Sequence, residues 1–160
     1  MPVQQSDTEP RIVAGVDGSP SSVGALRWAI RQAGLTGATV DAVIAWHYPA
    51  AAAGYGWAPV GMDQAGSFDA KEIAEKIVAD AVSNAAGPAS DVRVRSLTAE
   101  GNPAQVLVGA AAGADLLVVG SRGHGGFTEA LLGSVSQHCV QHAPCPVVVI
   151  RGQDSGNERE

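Results

Sequence analysis

The stretch Asp115-Leu116-Leu117-Val118-Val119-Gly120-Ser121-Arg122-Gly123-His124-Gly125-Gly126 decides the fold. Its apolar run is too short for an independent helix, contains β-branched residues and ends in turn formers, which is how a buried parallel strand reads. The glycines that follow let backbone N–H groups approach an anion without Cβ clashes. In open α/β sheets, ligands sit beyond the carboxyl ends of strands, where strand order reverses. A buried strand emptying into glycines is therefore a signal of both fold and site.

Upstream, Arg11-Ile12-Val13-Ala14-Gly15-Val16 is a second apolar run, cut off by Asp17-Gly18-Ser19-Pro20. Ser19 or Ser21 can cap a helix with Pro20 in its first turn, and Val23, Leu26, Ala29, Ile30 and Ala33 recur at helical spacing until Gly34. Residues Thr39 to Trp46 read as the next strand. Residues 47–68 are rich in Ala, Gly and Pro without a clear period, an insertion or lid in which Tyr55 and Trp57 favour contact with something bound. From Asp69, the positions Ile73, Ile77 and Ala81, with Val78 and Val82 alongside, predict an amphipathic helix ending near Gly87-Pro88. Val92 to Leu97 begins with alternating residues and suits a strand at the sheet edge, and Glu100-Gly101-Asn102-Pro103 turns into a helix through about Gly113.

Downstream of the glycines, a helix is expected from about Thr128 or Leu131 to His142, then a last strand from Pro144 to Ile150. Strands alternating with helices imply α/β architecture, a doubly wound parallel sheet with helices on both faces. One domain spans residues 10–151, and the polar segments 1–9 and 152–160 are expected to be disordered tails.

The composition of the 160 residues fits that fold. Hydrophobic residues at 46% and charged residues at 16% are globular values, and abundant Ala and Gly with 4% aromatics favour helices packed closely on a sheet. Sixteen acidic against ten basic residues give a formal charge of -6, which repels a phosphate backbone and argues against nucleic-acid binding. The N-terminus has neither a basic nor an apolar targeting region, and no apolar run approaches the roughly 20 residues that span a bilayer, so a cytoplasmic protein without membrane contact is expected. Cys139 and Cys145 read as reduced thiols.

The spacing around the glycine stretch is Gly120, two residues, Gly123, nine residues, then Gly133-Ser134 at a helix start. A helix N-terminus there favours negative charge. The same glycines also suit a tight turn and a close helix–sheet contact, and the two roles compete. A Walker A loop is excluded because neither Lys71 nor Lys76 is near a glycine cluster. A dinucleotide fingerprint fails because Thr128 occupies its third glycine position.

Val16-Asp17-Gly18-Ser19, Gly120-Ser121-Arg122-Gly123 with Gly133-Ser134-Val135, and Cys145-Pro146-Val147-Val148-Val149 together resemble the universal stress protein family over residues 10–151, and the long glycine motif is similar to that of its ATP-binding subclass. The resemblance implies a Rossmann-like, five-stranded parallel sheet of order 3-2-1-4-5. It also implies ATP as ligand, with Asp17 on the ribose side, Ala45 against the adenine, and Gly120, Gly123, Gly133 and Ser134 on the phosphates, completed by Val135 and Ser136. Gly15, Val16, Ser19, Val119 and Phe127 complete the expected binding set. Arg122 and His124 stand where the family often places a polar or basic side chain near the phosphates. Any Mg²⁺ would be held mainly by those phosphates. The family's usual dimer pairs last strands, here Val147, Val148, Val149 and Ile150, an apolar edge that predicts a homodimer.

For Asp17 an Asx-turn or helix cap is an equally available role, and it is compatible with ligand contact. His138, Cys139, His142 and Cys145 straddle a helix end and a strand start and do not match paired zinc-ligand spacing, so no protein metal site is expected. No Gly-x-Ser-x-Gly elbow exists and no carboxylate pair stands out as acid and base; Glu129 suits helix N-terminal stabilisation. These features predict a nucleotide-dependent stress-response and signalling module. Its alternatives are a slow Mg²⁺-dependent ATPase, with Asp17 and Ser134 near metal and phosphates, and a ligand-free interaction protein.

Overall fold

A computed structural model of the chain describes residues 9–47, 69–87, 90–121 and 132–151. Five strands, β1 (Arg11–Gly15), β2 (Thr39–Trp46), β3 (Val94–Glu100), β4 (Leu116–Gly120) and β5 (Val147–Ile150), form one parallel sheet of order β3-β2-β1-β4-β5. The expected order 3-2-1-4-5 is the one observed. β3 occupies an edge, as its alternating sequence predicts.

Helices cover both faces. α1 (Pro20–Thr36) and α2 (Ala70–Ala85) pack over Ile12, Ala14, Val40, Ala42, Ile44 and Val118. α3 (Pro103–Ala110) and α4 (Ser134–His142) close the opposite face over Val13, Val43, Leu117 and Val119. Strand residues alternate between these two cores because successive side chains point to opposite faces. Alanines at 14, 25, 29, 33 and 42 let α1 lie close against the sheet.

The element ends differ from the sequence expectations in instructive ways. β1 stops at Gly15, one residue before Val16, whose N–H nevertheless continues the pairing by donating to the Val43 carbonyl at 2.8 Å. α1 passes through Gly34 and ends at Gly37, which takes the left-handed conformation at φ 76° and donates its N–H to the Ala33 carbonyl. A mid-helix glycine costs only about 1 kcal/mol relative to alanine, so Gly34 does not end the helix and the cap forms at Gly37. In α2 the buried stripe is Ala70, Ala74, Val78 and Ala81, while Ile73 is 44% exposed. The small residues, not the predicted Ile73, set the contact line.

β3 starts at Val94 instead of Val92 and runs to Glu100, because the eight-residue β2 offers partners up to Trp46. α3 ends at Ala110, its last N–H groups tightening into a turn through Gly113. α4 starts at Ser134 with Gly133 as N-cap, and the expected starts Thr128 and Leu131 lie outside the described residues. β5 starts at Val147, since Pro144 and Pro146 have no N–H to give a ladder. The expected tails 1–8 and 152–160, and 48–68 of the expected lid, lie outside the described residues.

One polar arrangement had no forewarning in the sequence reading. Asp41, in the middle of an apolar strand, is 1% exposed. Its carboxylate accepts Nε and Nη2 of Arg95 at 2.7 and 2.8 Å and Nη1 of Arg11 at 3.1 Å. Arg11 also donates to the carbonyls of Ala110 and Ala112 at the end of α3, where a cation suits the helix dipole. The Asp41 hydrogen bonds hold the Arg95 guanidinium above its ordinary pKa.

Candidate functional site

β1 is flanked by β2 and β4, so strand order reverses between β1 and β4. The loops leaving these two strands lead into α1 and α4, on opposite faces, and the two helix N-termini flank the reversal point. This is where α/β sheets of this type place ligands.

On the β1 side, Asp17 Oδ1 accepts the Ser19 N–H at 2.8 Å, an Asx-turn, with Gly18 at φ 83°. Ser19 is the N-cap of α1: its Oγ accepts the Ser22 N–H at 3.2 Å, and Pro20 fills the first helical position. Ser22 Oγ in turn donates to the Ser19 carbonyl and accepts the Asp17 N–H. This local network fixes the turn and leaves Asp17 half-buried at the crevice. Gly15 is buried; a Cβ there would come within 2.8 Å of Leu107 Cδ1.

On the β4 side, Val119 is buried and Gly120 meets the first turn of α1. A Cβ on Gly120 would overlap Ser21 Oγ and lie 2.9 and 3.0 Å from the Ser21 backbone carbon and oxygen. The glycine at this position is thus required by helix–strand contact, the competing role named above. Ser21 Oγ is itself buried and has no hydrogen-bond partner among the described residues. Buried hydroxyls are normally paired, so one without a partner among the described residues, at the carboxyl end of the sheet, is a candidate ligand contact.

Beyond Gly120, the Ser121 N–H donates to the Ile150 carbonyl at 2.8 Å, and the Ser121 carbonyl accepts the Gly133 N–H at 2.7 Å. Ser136 Oγ lies 3.3 Å from the Ser121 carbonyl and 3.1 Å from that of Gly133, so this hydroxyl is committed to the backbone. The first bond of α4 runs from the Gln137 N–H to the Gly133 carbonyl at 2.9 Å, and no side chain caps the helix. The amides of Ser134, Val135 and Ser136 therefore precede the intrahelical ladder, at the positive end of the dipole. Such a terminus is suited to an anion.

Of the residues singled out in the sequence, Gly15, Val16, Asp17, Ser19, Val119, Gly120, Gly133, Ser134, Val135 and Ser136 gather around the two loops. Ala45, half-buried, lies one residue before the carboxyl end of β2, beside Ala99 of β3. Arg122, Gly123, His124 and Phe127 lie outside the described residues. The sequence reading did not single out Ser121 as a site residue and considered Ser21 only as a cap. Their signal was positional: one stands directly after β4, the other in the first turn of the helix after β1.

A family model described as the universal stress protein family matches residues 10–151. This chain belongs to that family. A universal stress protein from Mycolicibacterium smegmatis is 34% identical over 157 residues, covering 94% of this chain and 51% of its own. One from Thermus aquaticus is 43% identical over 82 residues, 50% of this chain and 57% of that one. The chain thus spans about half the length of the curated relatives it matches. Among solved structures, a universal stress protein in complex with cAMP is 26% identical, with TM-score 0.61 over 88% of this chain and 95% of that one. A universal stress protein from Archaeoglobus fulgidus in complex with dAMP shares the fold at 22% identity, TM-score 0.63, over 89% and 97%.

Proposed function

We propose that this universal stress protein binds an adenine nucleotide in the crevice between β1 and β4 and acts as a nucleotide-dependent stress-response and signalling module. The observation that carries this reading is the N-terminus of α4. It has a glycine cap and no side-chain partner among the described residues, its leading amides belong to Ser134, Val135 and Ser136, and it is the next described helix after β4. The buried Ser21 hydroxyl on the other side of the crevice, without a partner among the described residues, fits the same polar occupant. The 26%-identical relative in complex with cAMP supports the class of ligand.

Within that class, the spacing Gly120, Gly123, Gly133-Ser134 favours ATP over AMP or cAMP, because a triphosphate makes use of the whole cradle. Asp17 is assigned to the ribose, Ala45 to the adenine, and Arg122 and His124 to the phosphates. Mg²⁺ would enter on the phosphates and neutralise part of their charge. A homodimer through β5 is consistent with its place at the sheet edge and its apolar residues Val147 to Ile150, and a cytoplasmic location completes the proposal.

The test is to denature freshly purified protein and identify released nucleotide by chromatography, with its molar ratio to protein. Near-stoichiometric ATP is expected, and Gly123→Leu should lose it while keeping the circular dichroism spectrum. Bound ADP would instead indicate turnover. Absence of nucleotide, confirmed by titration with ATP, AMP and cAMP, would sink the binding role.

A further inference from the structure

The sequence grouping His138, Cys139, His142 and Cys145 is split by the fold. Cys139 points into the core of the α3/α4 face and is fully buried, and burial pushes its thiol up to about 11. Cys145 packs against the same core, and its thiol is also raised, chiefly by burial. The two imidazoles stand one helical turn apart on α4: His138 is half-buried and His142 exposed. Their ring centroids are 4.4 Å apart, tilted by 40°.

We propose that His138 and His142 form a two-nitrogen chelate for a borderline divalent transition-metal ion on the outer side of α4. Residues four apart are neighbours on one helix face, so the backbone already pays the entropy of bringing the rings together. Two nitrogens on a tetrahedral cation at about 2.0–2.1 Å stand about 3.4 Å apart, a separation that rings centred 4.4 Å apart can present. His142 lies in the last turn of α4, where the negative end of the dipole and the terminal carbonyls favour a cation, and His138 stands one turn before it.

No third His, Cys, Asp or Glu joins them in a group among the described residues. The site therefore leaves coordination positions open to water. Imidazole ligands select Zn²⁺, Ni²⁺ and Cu²⁺ over Mg²⁺ and Ca²⁺, which prefer oxygen. The site is separate from the nucleotide crevice, which lies at the other end of α4.

The test titrates the full chain, without affinity tag and stripped of metal and nucleotide, with ZnCl₂, CuCl₂ and MgCl₂, following calorimetric heat and the imidazole NMR signals. One equivalent of Zn²⁺ should bind and shift the ring signals of His138 and His142, Cu²⁺ should bind more tightly than Zn²⁺, and Mg²⁺ should leave the rings unmoved. His138→Ala and His142→Ala should each weaken Zn²⁺ binding by about tenfold or more, while His47→Ala leaves it unchanged. Alanine improves helix propensity at both positions, so the variants keep α4. Unaltered affinity in both variants, or no ring shift at about 1 mM ZnCl₂, overturns the proposal.

Discussion

At the amino end of the sheet, the buried carboxylate of Asp41 accepts three hydrogen bonds from two arginines of its own chain. At the carboxyl end, the buried hydroxyl of Ser21 has no partner among the described residues, and α4 begins without a side-chain cap. A polar group that the chain satisfies itself belongs to stability. One that the chain leaves open costs stability, and it is at this end that the nucleotide site is proposed.

The strongest way to break this comparison is to remove the satisfied group. Asp41→Ala leaves Arg11 and Arg95 without their carboxylate, and removing one partner of a buried ion pair costs about 3–5 kcal/mol. The arginine side chains are 25% and 54% exposed and reach water once the carboxylate is gone, so the loss seen in urea denaturation should fall below that range. Nucleotide retained per folded molecule should not change. A loss of nucleotide without loss of stability would reverse the roles assigned to the two ends.

Gly120→Ala tests the point where stability and site meet. The added methyl collides with the Ser21 backbone, which cannot rotate away as a side chain could. Overpacking of this kind costs about 1–3 kcal/mol, and moving the first turn of α1 should also weaken nucleotide binding. Gly15→Ala is the comparison: its new Cβ meets the flexible end of Leu107, so its cost in stability should be smaller, about 1 kcal/mol. Equal losses in the two variants would mean that α1 and the crevice are not coupled through Gly120.

The same contrast explains what the sequence made legible. Apolar runs, with one alternating segment at the sheet edge, made all five strands readable from Arg11, Thr39, Val92, Asp115 and Pro144 onward, while their order came from the family resemblance. Positions of close approach were legible as glycines, though not their reason: Gly120 reads as phosphate loop in sequence and as helix contact in space. Asp41 was hidden because its partners lie 30 and 54 residues away in sequence, and only strand register brings Arg11 and Arg95 to it. Ile73 was misplaced because periodicity fixes a helix's apolar side only to within a residue or so, and the alanines of α2 settled which line touches the sheet.

The smallest effect is the most discriminating. Ser21→Ala removes a hydroxyl that is desolvated and unpaired, so without nucleotide the variant should be as stable as the parent or more stable, by up to about 1 kcal/mol. Alanine is also the better helix former at this position in α1. With saturating nucleotide the order should invert, because a hydroxyl that the ligand satisfies stabilises the complex by the usual net value of about 1 kcal/mol. Parallel urea titrations with and without ATP therefore read the sign directly. Destabilisation of the nucleotide-free variant would mean that Ser21 is paired within the chain, and the two ends of the sheet would then differ only in which partner the chain provides.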